Sequence, residues 1–424
     1  MTTQSEPIAR VLIPWRATVI LVCTLGSVYM VSQFLRNSVA VIAPNLAQEL
    51  HLSASEIGLL ASAFFFAFAA AQIPLGIALD RYGPKACMLV CGGIAAFGAV
   101  MFATATSPGG LIASRILMGM GSSCYLMAPL ALFAQRYAPH QFASLTGIQM
   151  GLGSIGTLIA TAPFAFAVAA IGWRATFFGV AALMVLATAC VMIVVRENGG
   201  SAPRFERKKE SLAESLAGLA AAIRTPSVCA IFVMHLVAHA SFVQVVGLWG
   251  GPYLTHIYGY DLTARGNMLF AAAIAQVAAA CLWGPTDRIF RSYKLPVLLG
   301  AGSTALVLAT VAVFGVLSPG WLLVWFVLAG AMTAYTPVLI AHGKSLFPPH
   351  LVGRGMTLLN MGTMGGVFLA QLVSGFLIDL FPSTNGAYAL DAYRFVFGMQ
   401  AAAVTVASVV YLFWVRDPWR DTRE

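Results

Sequence analysis

Charge is scarce in this chain of 424 residues: Asp, Glu, Lys and Arg together make up 9% of it, against 59% hydrophobic residues. Soluble domains carry about 25% charged residues, so a mean hydropathy of +0.85 excludes an ordinary soluble fold and implies a polytopic membrane protein. Acidic residues are the scarcer sign, 15 against 24 Lys and Arg, and they sit almost wholly in loops or near the ends of apolar runs. Cysteine is also sparse: seven residues, an odd number with no zinc-type spacing, expected to be free thiols in the core. Cys87 and Cys91 share a helix face, but no His or carboxylate stands near to complete a metal site. No nucleotide-binding glycine loop is present, which excludes direct ATP coupling, and no nucleophile has an organised base, which disfavours an enzyme. Neither a cofactor nor a metal is implied.

What is present is a succession of apolar runs. A spanning helix needs about 20 apolar residues, and breaks at charged or Gly/Pro-rich points divide the chain into about twelve such runs, the first near 17–43 and the last near 392–415. The first run is too long for a signal peptide and lacks a small-x-small cleavage site, so it is expected to remain as a span. The longest polar interruption, from Arg196 to about Thr225, divides the chain into a first half over 1–195, a linker over 196–226 and a second half over 227–424. Within it, residues 210–222 alternate as in a short amphipathic helix lying on the membrane face, with a solvated linker as the alternative.

Lys and Arg near span ends are retained in the cytoplasm. With the amino terminus inside, only Arg174, Arg265 and Arg394 fall near the outer side. The net charge of +9 is then a topology signal spread over many short loops, not a nucleic-acid footprint. Both termini are expected in the cytoplasm of a cell whose inner membrane holds the protein, as a monomer.

The halves echo each other. Asp80-Arg81-Tyr82-Gly83-Pro84-Lys85 recurs about 207 residues later as Asp287-Arg288 with Arg291 and Lys294, and Tyr137-Ala138-Pro139-His140 as Phe347-Pro348-Pro349-His350. Each of the latter precedes a glycine-studded helix, with Gly147, Gly151, Gly153 and Gly156 in one and Gly355, Gly362, Gly365 and Gly366 in the other. These are expected where the two halves slide on each other, or else in ordinary tight packing.

At this point the chain resembles the major facilitator superfamily over essentially its whole length. Gly76-x-x-x-Asp80-Arg81-x-Gly83-x-Lys85 matches the signature loop between the second and third helices, with Pro84 where a basic residue is more usual. Arg115-x-x-x-Gly119-x-Gly121 resembles the fourth-helix motif, and Gly172-Trp173-Arg174 the start of the sixth helix. The resemblance implies an all-α membrane protein of twelve transmembrane helices, in two pseudo-symmetric six-helix lobes around a central cavity, working by alternating access. It implies a gate at Gly76, Asp80, Arg81, Gly83 and Lys85, with Asp287 and Arg288 as the counterpart. Asp80 would face a helix amino terminus and Gly76 would pack on the opposite lobe; a turn that merely fixes topology is the alternative.

Arg36 lies well inside the first apolar run, where a cation is costly and needs a partner. No intramembrane carboxylate is an obvious mate, which leaves a bound anion matched to the guanidinium fork; snorkelling, or pairing with backbone carbonyls, is the alternative. The first helix is similar to those of the anion:cation symporter and organophosphate antiporter branches, where an arginine binds the anionic substrate. Leu35 stands where the symporters usually place an acid, and Gln244 is the only polar residue near the antiporters' second arginine. Gln33, Gln149, Gln244, Asn360 and Gln371, together with Gln72, are polar within spans and suit either substrate binding or interhelical bonding. His235 and His239 share a face of the seventh span and suit proton coupling. Arg115 is associated in the family with proton transfer in exporters, while Glu56, Asp379 and Asp391 are further candidate proton sites near outer span ends. The expected activity is proton-coupled uptake of a small organic anion, with efflux of drugs or amphipathic metabolites, or transport of amino acids and other zwitterions, as alternatives.

Overall fold

The structure, a computed structural model, describes residues 14–195, 220–348, 351–384 and 386–418. The expected amphipathic segment at 210–222 lies almost wholly outside them, as does most of the linker.

The first half holds α1 (Trp15–Asn37), α2 (Val39–Leu50), α3 (Ala54–Thr104), α4 (Pro108–Ser122), α5 (Met127–Arg136), α6 (Pro139–Ile159) and α7 (Ala162–Val194). The second holds α8 (Val228–Gln244), a π-helical turn (Val245–Trp249), α9 (Gly250–Tyr258), α10 (Leu262–Trp283), α11 (Thr286–Phe290), α12 (Lys294–Phe314) and α13 (Pro319–Met332). A 3₁₀ turn (Thr333–Tyr335) follows, then α14 (Thr336–Ser345), α15 (Val352–Ile378), a minimal antiparallel hairpin of β1 (Ser383–Thr384) and β2 (Ala387–Tyr388), and α16 (Leu390–Trp414).

Local sequence sets these limits. Ser53 caps α3 by accepting from the Glu56 amide, and the Glu56 side chain accepts in return from the Ser53 amide, a capping box. Ser107 and Asp261 cap α4 and α10 in the same way, with Pro108 at the first position of α4. A straight α3 of 51 residues would run about 77 Å at 1.5 Å per residue, well over twice a bilayer core of about 30 Å. It is instead broken at Gly83, whose φ of 84° few residues but glycine adopt, in the middle of the charged turn. α7 breaks likewise at Gly172.

Ten helical stretches among the described residues are long and apolar enough to cross a membrane. The break at Gly83 falls inside one of them and that at Gly172 inside another. Large apolar side chains such as Phe166, Leu306 and Phe413 are exposed around the outside, as lipid contact requires. Cysteines correct one expectation: Cys87 and Cys124 are buried, but Cys23, Cys229 and Cys281 are exposed, because an apolar run in a bilayer has no reason to turn its thiols inward.

The internal repeat is visible in backbone contacts. Gly156 of α6 packs against the Met30 carbonyl of α1, and Gly366 of α15 against the Leu236 carbonyl of α8. Gly119 of α4 meets the Phe64 carbonyl of α3, and Gly330 of α13 the Ala272 carbonyl of α10. In each place an added Cβ would collide with backbone, so helix approach within each half depends on a missing side chain. The glycine-rich helices thus make these tight contacts inside their own halves, while Gly147, Gly151 and Gly365 face open space.

Contact between the halves concentrates at the end of the bundle away from the termini, here the distal end. Gly58 of α3 lies against Gly375 of α15, Gly251 of α9 against the Ala40 carbonyl of α2, and Gly266 of α10 against Ala162 and Ala165 of α7. Arg265 of α10 donates to the Asn45 side chain of α2. At the terminal end Asp80 and Arg81 are exposed and Gly76 meets nothing within 4 Å. Among the described residues the molecule is closed distally and open at its terminal end.

Candidate functional site

The first pass is interrupted at Ser38, between α1 and α2, and Arg36 sits just before the break. Its side chain is 9% exposed. The guanidinium lies 4.7 Å from the Phe68 ring centre and 6.0 Å from that of Phe65, both on α3. Such contacts contribute about 0.5–2 kcal/mol, well short of the several kcal/mol that burying an ion costs. Among the described residues Arg36 has no hydrogen-bonded or ionic partner, and its Nε is buried and unsatisfied. A buried cation held only by aromatic faces can be offset by an anion entering from the open end.

Several other polar groups within the helices are also unsatisfied. The Gln33 Oε1, one turn before Arg36, and the Gln72 Nε2, one turn after Phe68, are buried without partners. Tyr29, two turns before Arg36, packs on Gly153 and lies within electrostatic reach of the guanidinium, as does His239 of α8. Gln371 of α15 is 1% exposed and both its amide atoms are unpaired.

Arg115, 1% exposed, contrasts with Arg36. Its Nε donates to the Leu60 carbonyl at 3.3 Å, one terminal nitrogen donates to the Leu35 carbonyl at 2.5 Å, and the Phe64 ring lies 4.6 Å away. The break at Ser38 leaves the last carbonyls of α1 short of helical donors, and Arg115 supplies one. It ties three passes together and fixes the backbone beside Arg36.

Other expected site residues separate into two groups. Gln149 donates to the Leu25 carbonyl at 3.1 Å, and Gln244 donates to the Ala370 carbonyl at 2.9 Å while accepting from Ser374; both are occupied in holding helices. His235 shares a 3.0 Å hydrogen bond with Thr363 on α15, with its Nε2 buried and unsatisfied. Asn360 is half-buried on α15. Lys85 is half-buried, Arg81 rests over Tyr82 at 5.2 Å, and Asp287 accepts from the Arg288 amide at 2.8 Å. Sequence reasoning missed Phe65 and Phe68; the run Phe64-Phe65-Phe66-Ala67-Phe68 was the available signal. It also missed the π turn at Val245–Trp249, which sits beside Asn37 and Ala40 at the break, the kind of irregularity that gathers at functional sites.

A probable sulfoacetate transporter of Cupriavidus necator is 27% identical over 274 residues, covering 62% of this chain and 63% of that protein, less than two thirds of its length. A probable L-galactonate transporter of Escherichia coli K12 is 22% identical and covers 92% of this chain and 87% of its own. The multidrug resistance protein MdtL of Escherichia coli is 22% identical over 54% of this chain and 61% of its own. Among solved structures, a bacterial homologue of the human lysosomal transporter Spinster, inward-facing and unoccupied, superposes with a TM-score of 0.76 at 16% identity, covering 94% of this chain and 97% of that one. The family model described as Major Facilitator Superfamily matches residues 25–264 and 240–424. With that match and the all-helical, many-pass fold, the chain is an integral membrane protein that belongs to the Major Facilitator Superfamily.

Proposed function

We propose that the protein is a secondary transporter that takes up a small organic anion, coupled to protons, by alternating access between two six-helix lobes. The observation that carries this reading is Arg36: a buried guanidinium with, among the described residues, no carboxylate partner. Its planar fork fits a carboxylate, sulfonate or phosphate through two parallel N–H donors. Gln33, one turn before Arg36, and Gln72, one turn after Phe68, are buried, unsatisfied polar groups that such a ligand could use. The names of two relatives, a sulfoacetate and an L-galactonate transporter, support an anionic cargo; that of MdtL supports the competing efflux reading.

By the distribution of Lys and Arg the terminal end faces the cytoplasm, so the conformation described is inward-open. Closing that end would bring together the loops carrying Gly76, Asp80, Arg81, Gly83 and Lys85 and those carrying Asp287 and Arg288. Of the coupling candidates, His239 is the best placed: it is only partly buried and within electrostatic reach of Arg36, so anion binding and protonation would favour each other there. Arg115, committed to two carbonyls, serves as a structural tie.

Flux into proteoliposomes under an imposed proton gradient tests the reading. Accumulation of carboxylates or sulfonates, driven by outside acid and lost in Arg36→Ala, is the expected result. Antiport of cationic drugs, indifferent to Arg36, would replace it with the efflux reading.

A further inference from the structure

The distal closure ends in one carboxylate. Asp379, the residue after α15, accepts from the Ala54 amide at 2.9 Å, the Ser55 amide at 2.8 Å, the Ser55 hydroxyl, and the Tyr388 hydroxyl at 2.5 Å. Ala54 and Ser55 open α3, so a side chain of the second half caps the positive end of a helix in the first, 325 positions away. Tyr388, on β2, also accepts from the Ala54 amide at 3.0 Å, and its own amide points to His256 at 3.4 Å. One turn deeper, a Cβ on Gly58 would come within 2.8 Å of the Gly375 Cα.

We propose that Asp379 is a latch between the halves: docked on the amino end of α3 it holds the distal side shut, and the carrier must undock it to open there. This rests on the alternating-access reading above. The helix does not need Asp379 to be capped within its own half. Ser53 already takes the Glu56 amide, and the amides of Ala54 and Ser55 are those a half standing apart would give to water. Undocking therefore exchanges one set of hydrogen bonds for another, as a reversible contact requires.

The latch does not act as a proton switch near neutrality. Burial alone would raise the carboxyl, but the hydrogen bonds from Ser55, Tyr388 and the Ala54 amide outweigh it and hold Asp379 below the usual carboxylate range. Tyr388, pushed up to about 12 by burial and by its bond to Asp379, stays a neutral donor. The other ionisable groups here are Glu56, engaged with the Ser53 amide, and His256, bonded to the Tyr393 hydroxyl at 2.6 Å. A depressed carboxylate stabilises the docked state above its ordinary pKa and loses that contribution only as pH falls through the lowered one; docking is therefore constant from pH 6 to pH 8.

Ser62 reports on the latch. It is fully buried, two turns inward on the face of α3 that carries Ala54 and Gly58, and its hydroxyl bonds only to the Leu59 carbonyl of its own helix. In intact cells, with the native cysteines replaced, Ser62→Cys is exposed to a membrane-impermeant maleimide. We expect Asp379→Ala to raise the labelling rate at least tenfold, with Asp379→Asn and Tyr388→Phe giving severalfold increases, and the ratio of each variant's rate to that of the unmodified latch to be the same at pH 6 and pH 8, since the thiolate fraction cancels in the ratio. An unchanged rate in a folded Asp379→Ala variant overturns the latch; if that variant does not fold, unchanged rates in both Asp379→Asn and Tyr388→Phe do so. The readout needs no substrate, so failure of the anion reading leaves it intact.

Discussion

Replacing Arg36 by alanine should separate ligand affinity from protein stability in opposite directions. Hydrogen bonds to charged groups contribute about 1.5–3 kcal/mol each, so loss of a two-pronged guanidinium contact should cost roughly 3–5 kcal/mol of anion binding, about two to four orders of magnitude in Kd. Arg36→Lys keeps the charge and loses the fork, and should fall in between. In the empty protein the same residue is a buried cation offset only by Phe65 and Phe68, so removing it relieves an uncompensated charge. Arg36→Ala should therefore melt no lower than the parent without ligand, and show no upward shift in Tm with anions that raise the parent's. A thermal-shift screen of carboxylates, sulfonates, phosphate esters, amino acids and cationic drugs, followed by titration calorimetry of any hit, supplies both numbers. Near-parental affinity in both variants, or a drop of many degrees in the empty alanine variant, would refute the argument; the latter would mean that Arg36 is satisfied in the empty protein after all.

The other expectations concern residues in their supporting roles. Arg115→Ala strands the Leu35 and Leu60 carbonyls and should cost about 2–4 kcal/mol, seen as a lower Tm, whether or not ligand is present; an unchanged Tm with altered pH dependence of flux would return Arg115 to proton coupling. Gly156→Val and Gly366→Val force a side chain into the Met30 and Leu236 carbonyls and should reduce folded yield sharply, while Gly147→Ala and Gly151→Ala, which meet nothing, should be close to neutral by detergent-extracted gel filtration. His239→Gln should flatten the pH profile of uptake and His235→Gln should leave its shape alone, since His235 is turned to Thr363; identical profiles in both variants would remove histidine from the coupling step.

Much of the fold is legible in the sequence because the bilayer simplifies the problem: apolar length sets the passes, and the charged turns at Gly83 and around Asp287 mark where the repeat begins again. Arg36 was legible for the same reason, since a cation inside an apolar run is conspicuous against so little charge. Partners were not legible. Helical spacing puts Gly153 and Gly156 on one face but does not say whether that face meets its own half or the other; Gly156 and Gly366 pack inside their own halves, while α15 also meets α3 of the other half at Gly375. Of the two carbonyls that occupy Arg115, that of Leu35 lies where α1 breaks at Ser38, in a run with no proline at that point, and that of Leu60 lies in a different helix, α3. Asp379 reads as an ordinary span-end carboxylate until the hairpin and α3 are seen beside it.

On the proposed reading, the charge of Arg36, unlike that of Arg115 not offset by hydrogen-bonded carbonyls among the described residues, makes the empty carrier sensitive to voltage. In the proposed inward-open form, with the distal side shut, the membrane potential falls across the closed part of the bundle, so Arg36 shares the potential of the compartment on the open side. An inside-negative potential is worth about 2.3 kcal/mol per elementary charge per 100 mV, and it draws the vacant, positively charged site to its inward-open form. In the proposed cycle a monoanion bound with its proton leaves the site at +1, as in the empty carrier, so an inside-negative potential favours the loaded inward step, opposes the return of the empty site, and the whole cycle moves no net charge.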